Sequence, residues 1–280
     1  MIKDIVVNLS LGAPRDVAAD YAVSVATALE AHLAGVAFAH EPVAPGTIFD
    51  GVSASIVATY RAQAEQAAKT AVARFEETAR RAPLPATLSF ETRILPASID
   101  GAGVLFGRLA RGFDLSIVSQ SEPDGGAGED LIIEGALFGS GRPVLVVPYI
   151  QSEAFKLDRV LLCWDGSRSA ARAVADALPL LERSKSIEIV TIATKDDNQG
   201  EIPGADIAHH LARHRLKVEL KRIVAPDTDV AEIILSHAAD SASDFIVMGG
   251  YGHSRLREFV LGGATRGMLG AMTVPTLMSH

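Results

Sequence analysis

The sequence predicts an α/β chain of two Rossmann-like, doubly wound domains, residues 1–150 and 151–280, each a five-stranded parallel sheet covered by helices. Three observations predict it. The strand-length runs are continuously apolar instead of alternating, which is the pattern of strands buried on both faces. They take turns with helical stretches, as in βαβ units. The order then repeats: Asp4-Ile-Val-Val-Asn-Leu-Ser10 is answered by Arg159-Val-Leu-Leu-Cys-Trp-Asp165, Phe113-Asp-Leu-Ser-Ile-Val-Ser119 by Ser243-Asp-Phe-Ile-Val-Met248, and Arg142-Pro-Val-Leu-Val-Val-Pro148 by Val274-Pro-Thr-Leu-Met278. In such sheets the ligand crevice lies outside the carboxyl ends of the central strands.

Along the chain, Met1-Ile-Lys-Asp-Ile-Val-Val7 runs directly into the first strand. The stretch Ser53 to Arg81, rich in Ala, Glu, Gln and Arg with apolar residues at helical spacing, predicts an amphipathic helix covering the first domain. Tyr149 to Leu157 is a polar linker, too short to let two domains separate. The final strands of the halves, Val144 to Val147 and Val274 to Met278, are expected to meet, since a terminal strand otherwise exposes an unpaired edge. In the second half the first strand ends at Asp165, turns through Gly166 and enters a helix with Ser167 or Ser169 as N-cap. The strand Phe245-Ile-Val-Met248 leads into the loop Gly249-x2-Gly252-x9-Gly262. A short helix, Ala264 to Gly270, follows Gly262-Gly263.

Composition narrows the classes of function. Hydrophobic residues make up 48% of 280, enough for two cores. No apolar window reaches 18 residues, and the start carries no secretory h-region, so the cytoplasm is the expected location. The net charge of −8 argues against nucleic acid and anionic membranes as partners. Residues 1–150 hold 11 basic against 17 acidic side chains, net −6, and residues 151–280 hold 15 against 17, net −2. The second half is the one that tolerates a polyanion. Cys163, the single cysteine, excludes an intrachain disulfide and a cysteine-rich metal site, and reads as a buried, inert thiol.

Glycines after a strand let backbone amides converge on an anion, and the first N–H groups of the following helix point to the same place. Phosphate is the ligand this predicts. A carboxylate, Asp165, at the end of a neighbouring strand completes a nucleotide-shaped pair, the acid serving sugar hydroxyls or a base amine.

The strand-Asp165-Gly166-Ser167 opening, the Ile246-Val-Met-Gly249 strand, the glycine loop and the closing Val274-Pro-Thr-Leu277 strand resemble the universal stress proteins, here in tandem form. The resemblance implies ATP as ligand, with magnesium as an optional companion. It implies Asp165 near adenine and ribose, Ile192 against adenine, and Met248, Gly249, Gly252, Gly262, Gly263, Ala264 and Thr265 around ribose and phosphates. One departure stands out: the family pattern has Ser or Thr after the last glycine, and this chain has Gly263. A charge-assisted hydrogen bond to phosphate is worth about 1.5–3 kcal/mol. Thr265 is the nearest hydroxyl to replace it, and AMP, ADP or a cyclic nucleotide remain alternatives.

The first half repeats the fold without the site. Ser10 stands where the second half has Asp165, and the cradle position reads Gln120-Ser-Glu-Pro-Asp-Gly-Gly-Ala-Gly-Glu-Asp130. Pro123 lacks an N–H, and Glu122, Asp124, Glu129 and Asp130 would repel a triphosphate, so no nucleotide is expected there. His253, Arg255 and Arg257 flank the second-half glycines and are equally consistent with phosphate contact and with a solvated loop. His209, His210 and His237 read as surface or packing residues. Walker, nucleophile-elbow and zincin motifs are absent, and neither a catalytic residue nor a metal ligand set is predicted. The expected protein is a stress-response sensor or regulator binding an adenine nucleotide in its second domain. It is an intramolecular pseudo-dimer, with homodimerisation of whole chains open as well. The rivals are a ligand-free partner-binding scaffold, favoured by Gly263, and a slow ATPase.

Overall fold

A computed structural model describes residues 1–12, 14–41, 54–82, 88–122, 128–193, 203–225, 228–250 and 263–280. Within each half the described strands and helices alternate: β1 (Asp4–Asn8), α1 (Val17–Leu29), β2 (His32–His40), α2 (Ala54–Arg80), β3 (Phe90–Ala97), α3 (Ile99–Ala110), β4 (Leu115–Ser119), α4 (Gly128–Gly139) and β5 (Val144–Val147). The second half repeats them as β6 (Arg159–Cys163), α5 (Arg168–Leu181), β7 (Ser186–Ala193), α6 (Ala205–Arg213), β8 (Val218–Val224), α7 (Val230–Asp240), β9 (Phe245–Gly249), α8 (Gly263–Ala271) and β10 (Thr276–Ser279).

Two compact units result. One comprises residues 2–142 and 152–155, the other 143–151 and 156–280. The division therefore does not fall at 150, as the sequence suggested. Residues 143–151 pack with the second unit because β5 pairs there, antiparallel, with β10 in the register Thr276↔Val146. This is the meeting of terminal strands that their exposed edges predicted. The linker residues 152–155 pack with the first unit, where Phe155 N–H donates to Ser24 Oγ at 2.9 Å and its ring meets Tyr21 edge-on at 6.0 Å.

In the first unit the strand order is β3-β2-β1-β4, all parallel. In the second it is β5-β10-β9-β6-β7-β8, parallel apart from the β5–β10 pair. The central strands are buried on both faces, for example Ile5, Val6 and Val7 at 0% exposure, which is why their sequences are apolar without alternation. The edge strands differ. β3 carries Glu91, Arg93 and Pro96, and β8 carries Glu219, Lys221 and Arg222, charges and a proline that discourage further pairing at an open edge.

The repeat reaches individual hydrogen bonds. Asp114, just before β4, accepts from the N–H groups of Lys3 (2.8 Å) and Asp4 (3.1 Å) at the entry to β1. Asp244, just before β9, accepts from Asp158 (3.0 Å) and Arg159 (3.2 Å) at the entry to β6. Each carboxylate ties its unit's first strand to its fourth. Helix starts are capped by side chains: Asp16 accepts from Ala19 N–H, Ser98 from Gly101, Ser167 from Ala170 and Asp229 from Ala231. The long helix α2 covers its sheet only through its second part, where Ala68, Ala71, Phe75 and Ala79 are buried. Its first turns, with Ile56 and Tyr60, are exposed.

Candidate functional site

In the second unit the strand order reverses between β9 and β6, so the crevice expected of this topology lies beyond their carboxyl ends. β6 stops at Cys163, two residues earlier than the sequence suggested, although Trp164 N–H still donates to Val190 O at 2.8 Å. Asp165 is exposed. Gly166 then takes φ 72°, a conformation that L side chains rarely adopt, and reverses the chain into α5. Ser167 N–H donates to Asp165 Oδ1 at 2.9 Å, fixing the carboxylate against the turn, while Ser167 Oγ accepts from Ala170 N–H as the N-cap. Of the two serines considered, Ser167 is therefore the cap, and Ser169 is buried in the first turn.

Strand register shows which residues share a face, because side chains alternate along a strand and match across a parallel pair. Leu161 is level with Ile246 of β9 and with Glu188 of β7. Two and four residues on, Cys163, Met248, Val190 and Ile192 occupy the same face. His237 of α7 reaches Glu188 at 3.2 Å, which identifies this as the α7 face. α8 lies on that side too, since a Cβ on Gly267 would stand 2.6 Å from the Ala231 Cβ of α7. The fold thus brings Ile192, half-buried, and Met248, 5% exposed, to the α7 and α8 side of the sheet at its carboxyl end. Asp165 follows two residues beyond the end of β6.

Gly249 faces the other way. A Cβ there would lie 2.5 Å from Ala170 N and 2.8 Å from Ser169 Oγ, so this glycine is required by the close approach of β9 to the first turn of α5. Its neighbour Gly250 is braced by β10: Gly250 N–H donates to Ser279 O at 2.8 Å, and His280 Nδ1 lies 3.2 Å from Gly250 O. Gly252 and Gly262, with His253, Arg255 and Arg257, lie outside the described residues. Gly263 opens α8, one residue earlier than expected, and among the described residues nothing stands within 4 Å of where its Cβ would be. Ala264 follows it, half-buried in the first turn. Thr265 is 3% exposed, packed into the fold.

Three contributors were not visible in the sequence. Trp164, half-buried, sits with its Cδ1 3.8 Å from the position of a Cβ on Gly204, at the start of α6. Ser279 and His280 reach Gly250 only because β10 pairs with β9 in the register Ser279↔Gly249. Cys163 is half-buried; burial pushes its thiol up to about 12, and the Asp165 carboxylate adds to the rise, so the thiol is protonated at ordinary pH. Among the described residues no group of three or more His, Cys, Asp or Glu side chains is placed to hold a metal ion, and no helix is long and apolar enough to cross a membrane.

Residues 156–280 match the model of the universal stress protein family. The second half of the chain belongs to this family. A universal stress protein of Synechocystis sp. is 28% identical over 138 residues, which are 49% of this chain and 46% of that one, so the chain spans about half the length of this relative. The fold extends over both halves. A universal stress protein from Archaeoglobus fulgidus DSM 4304 superposes with a TM-score of 0.69 at 13% identity, covering 99% of this chain and 96% of that one. A functionally unknown protein from Pseudomonas aeruginosa PAO1 does so at 0.58 and 15% identity, over 99% and 92%. The likeness of fold thus covers both halves of the chain.

Proposed function

We propose that the second universal stress domain binds an adenine nucleotide, ATP first among them, and that the chain acts as a stress-response sensor or regulator without being an enzyme. The observation that carries this reading is that Ile192 and Met248 share one face of the sheet at its carboxyl end, with the exposed Asp165 two residues beyond the end of β6 and the start of α8, where Gly263 is exposed, on the side of that face. The residues fit the ligand. An apolar side chain from β7 suits an adenine ring, an exposed carboxylate suits ribose hydroxyls or the base amine, and the unpartnered N–H groups of a helix start suit phosphate. Among the described residues nothing crowds Gly263, which supports a phosphate close to the backbone there. Magnesium, where present, would accompany the phosphates. The same glycine supplies no hydroxyl, which favours the second reading, a scaffold of this fold that binds a protein partner without nucleotide.

Trp164 is the single tryptophan and directly precedes Asp165, so its emission reports on this crevice. Titration with ATP should change that emission and raise the melting temperature. Binding at a hundredfold excess over Kd contributes about 2.7 kcal/mol, and about 2–4 °C follow per kcal/mol in a chain of this size. Asp165→Ala should remove both signals. An undiminished response in that variant would refute the site, and no response in the native chain would favour the scaffold.

A further inference from the structure

His210 and His214 lie one helical turn apart on the exposed surface of α6, His214 being the residue that caps its carboxyl end. Their rings are neighbours, with centroids 4.8 Å apart and planes tilted by 60°. Residues at i and i+4 share one side of a helix, so the two imidazoles project together. His209, one residue round the helix, does not share that side. Imidazole nitrogen is the preferred donor for zinc, copper and nickel, with metal–nitrogen bonds of about 2.0–2.1 Å. One ion therefore bridges nitrogens of rings at this separation after modest side-chain rotation.

The surroundings select the class of ion. Arg213 and Arg215 flank His214 in sequence and disfavour any ion held by charge alone, which speaks against magnesium and calcium, whose ligands are oxygens. The carboxyl end of α6 carries the negative end of the helix dipole, which favours a cation next to His214. Asp206, exposed one turn before His210, adds a carboxylate on the same side of the helix. Asp206 lends charge and not a bond, since among the described residues no group of three such side chains is placed to hold an ion, and water would fill the remaining positions. We propose that His210 and His214 form a chelating site for a divalent first-row transition metal on the surface of α6, independent of the crevice at Asp165.

The test is calorimetric titration of the tag-free, nucleotide-free full chain with Ni²⁺, Cu²⁺ and Zn²⁺, with Mg²⁺ as control. One ion per chain should bind, Cu²⁺ more tightly than Ni²⁺ or Zn²⁺, and Mg²⁺ should give no heat at this site. Affinity should fall on acidification, because the imidazoles must be neutral to coordinate. His210→Ala and His214→Ala should each weaken binding by more than the roughly 10- to 100-fold that loss of even an outer-shell partner costs, and His209→Ala should leave it unchanged. All three positions are exposed, so circular dichroism should show the fold intact. Absence of transition-metal binding would overturn the proposal. So would binding that survives both single variants, or an equal loss in His209→Ala.

Discussion

The carboxyl end of the first strand is used differently in the two halves of the chain. In the second, Asp165 stays at the surface and, among the described residues, accepts from the N–H of its own turn. In the first, the equivalent Ser10 is locked. Its N–H donates to Asp16 Oδ2 at 2.8 Å, its carbonyl accepts from Arg74 Nη2 at 2.9 Å, and Arg74 lies 3.6 Å from Asp16. The helices over the sheet diverge in the same sense. A Cβ on Gly103 of α3 would lie 2.1 Å from Leu131 O, one on Gly107 2.2 Å from Gly135 O, and one on Gly135 2.0 Å from Gly103 O. α3 and α4 therefore touch backbone to backbone. Counted from the N-caps Ser98 and Asp229, the residues of α7 at the places of Gly103 and Gly107 are Ile234 and Ala238, which exclude such an approach. Phe38, equivalent to Ile192 by register, is covered edge-on by Phe106 of α3 at 6.4 Å. The two halves share one strand order, and the helix layers over it pack differently.

The largest effect that would test this contrast is at the helix contact. Overpacking typically costs about 1–3 kcal/mol, and a backbone carbonyl yields less than a side chain, so Gly103→Ala should reach the upper end of that range in urea unfolding. Gly263→Ala, with open space around it, should stay within about 0.5 kcal/mol. Equal costs would show that α3 and α4 are not in the contact described.

A second test sharpens the site itself. Gly263→Ser restores a hydroxyl at the helix start, and a charge-assisted bond of about 1.5–3 kcal/mol should tighten ATP binding by one to two powers of ten. Unchanged affinity in the Trp164 titration would place the phosphates elsewhere.

Smaller differences should separate the two first-helix caps. Removing a cap costs about 0.5–2 kcal/mol. Asp16→Ala should lie at the top of that range, because Asp16 also holds Ser10 N–H and faces Arg74. Ser167→Ala should lie near the middle, as its Oγ caps only Ala170. Thermal unfolding of both variants that ranked them the other way would count against a locked first half.

The smallest expected effect is a dependence on pH. Burial raises the Asp16 carboxyl above its usual 3.8, against the opposing pull of the Ala19 and Ser10 N–H groups and of Arg74. The folded state then holds the proton more tightly than the unfolded one. The resulting stability is full below the unfolded value and is lost as pH rises through the folded one. Asp16→Asn cannot ionise, so its stability relative to the native chain should improve between pH ~3 and ~7. A flat difference would mean that Asp16 is not buried as described.

Much of this was legible in the chain. The ten strands, their alternation with helices and the pairing of the terminal strands follow from apolar runs and their repetition, because burial on two faces leaves a continuous hydrophobic pattern. Asp165 and the Gly249 loop stood out because turn and cap chemistry is local. Other features were hidden for a physical reason. Gly249 reads as a ligand glycine, yet its nearest demand comes from α5, a helix some 80 residues earlier in the chain. Arg74, Trp164 and His280 carry no motif, and only packing brings them to the strand ends.

What the sequence determined by itself was periodicity, hence element order, parallel sheets and the half bearing the cradle motif. Tertiary structure alone decided that β5 packs with the second unit, that α3 and α4 close on each other, and that Ile192 and Met248 share a face at the strand ends. Those outcomes depend on register and on the distance between helices. Both are set by contacts between residues far apart in the chain, which no local pattern records.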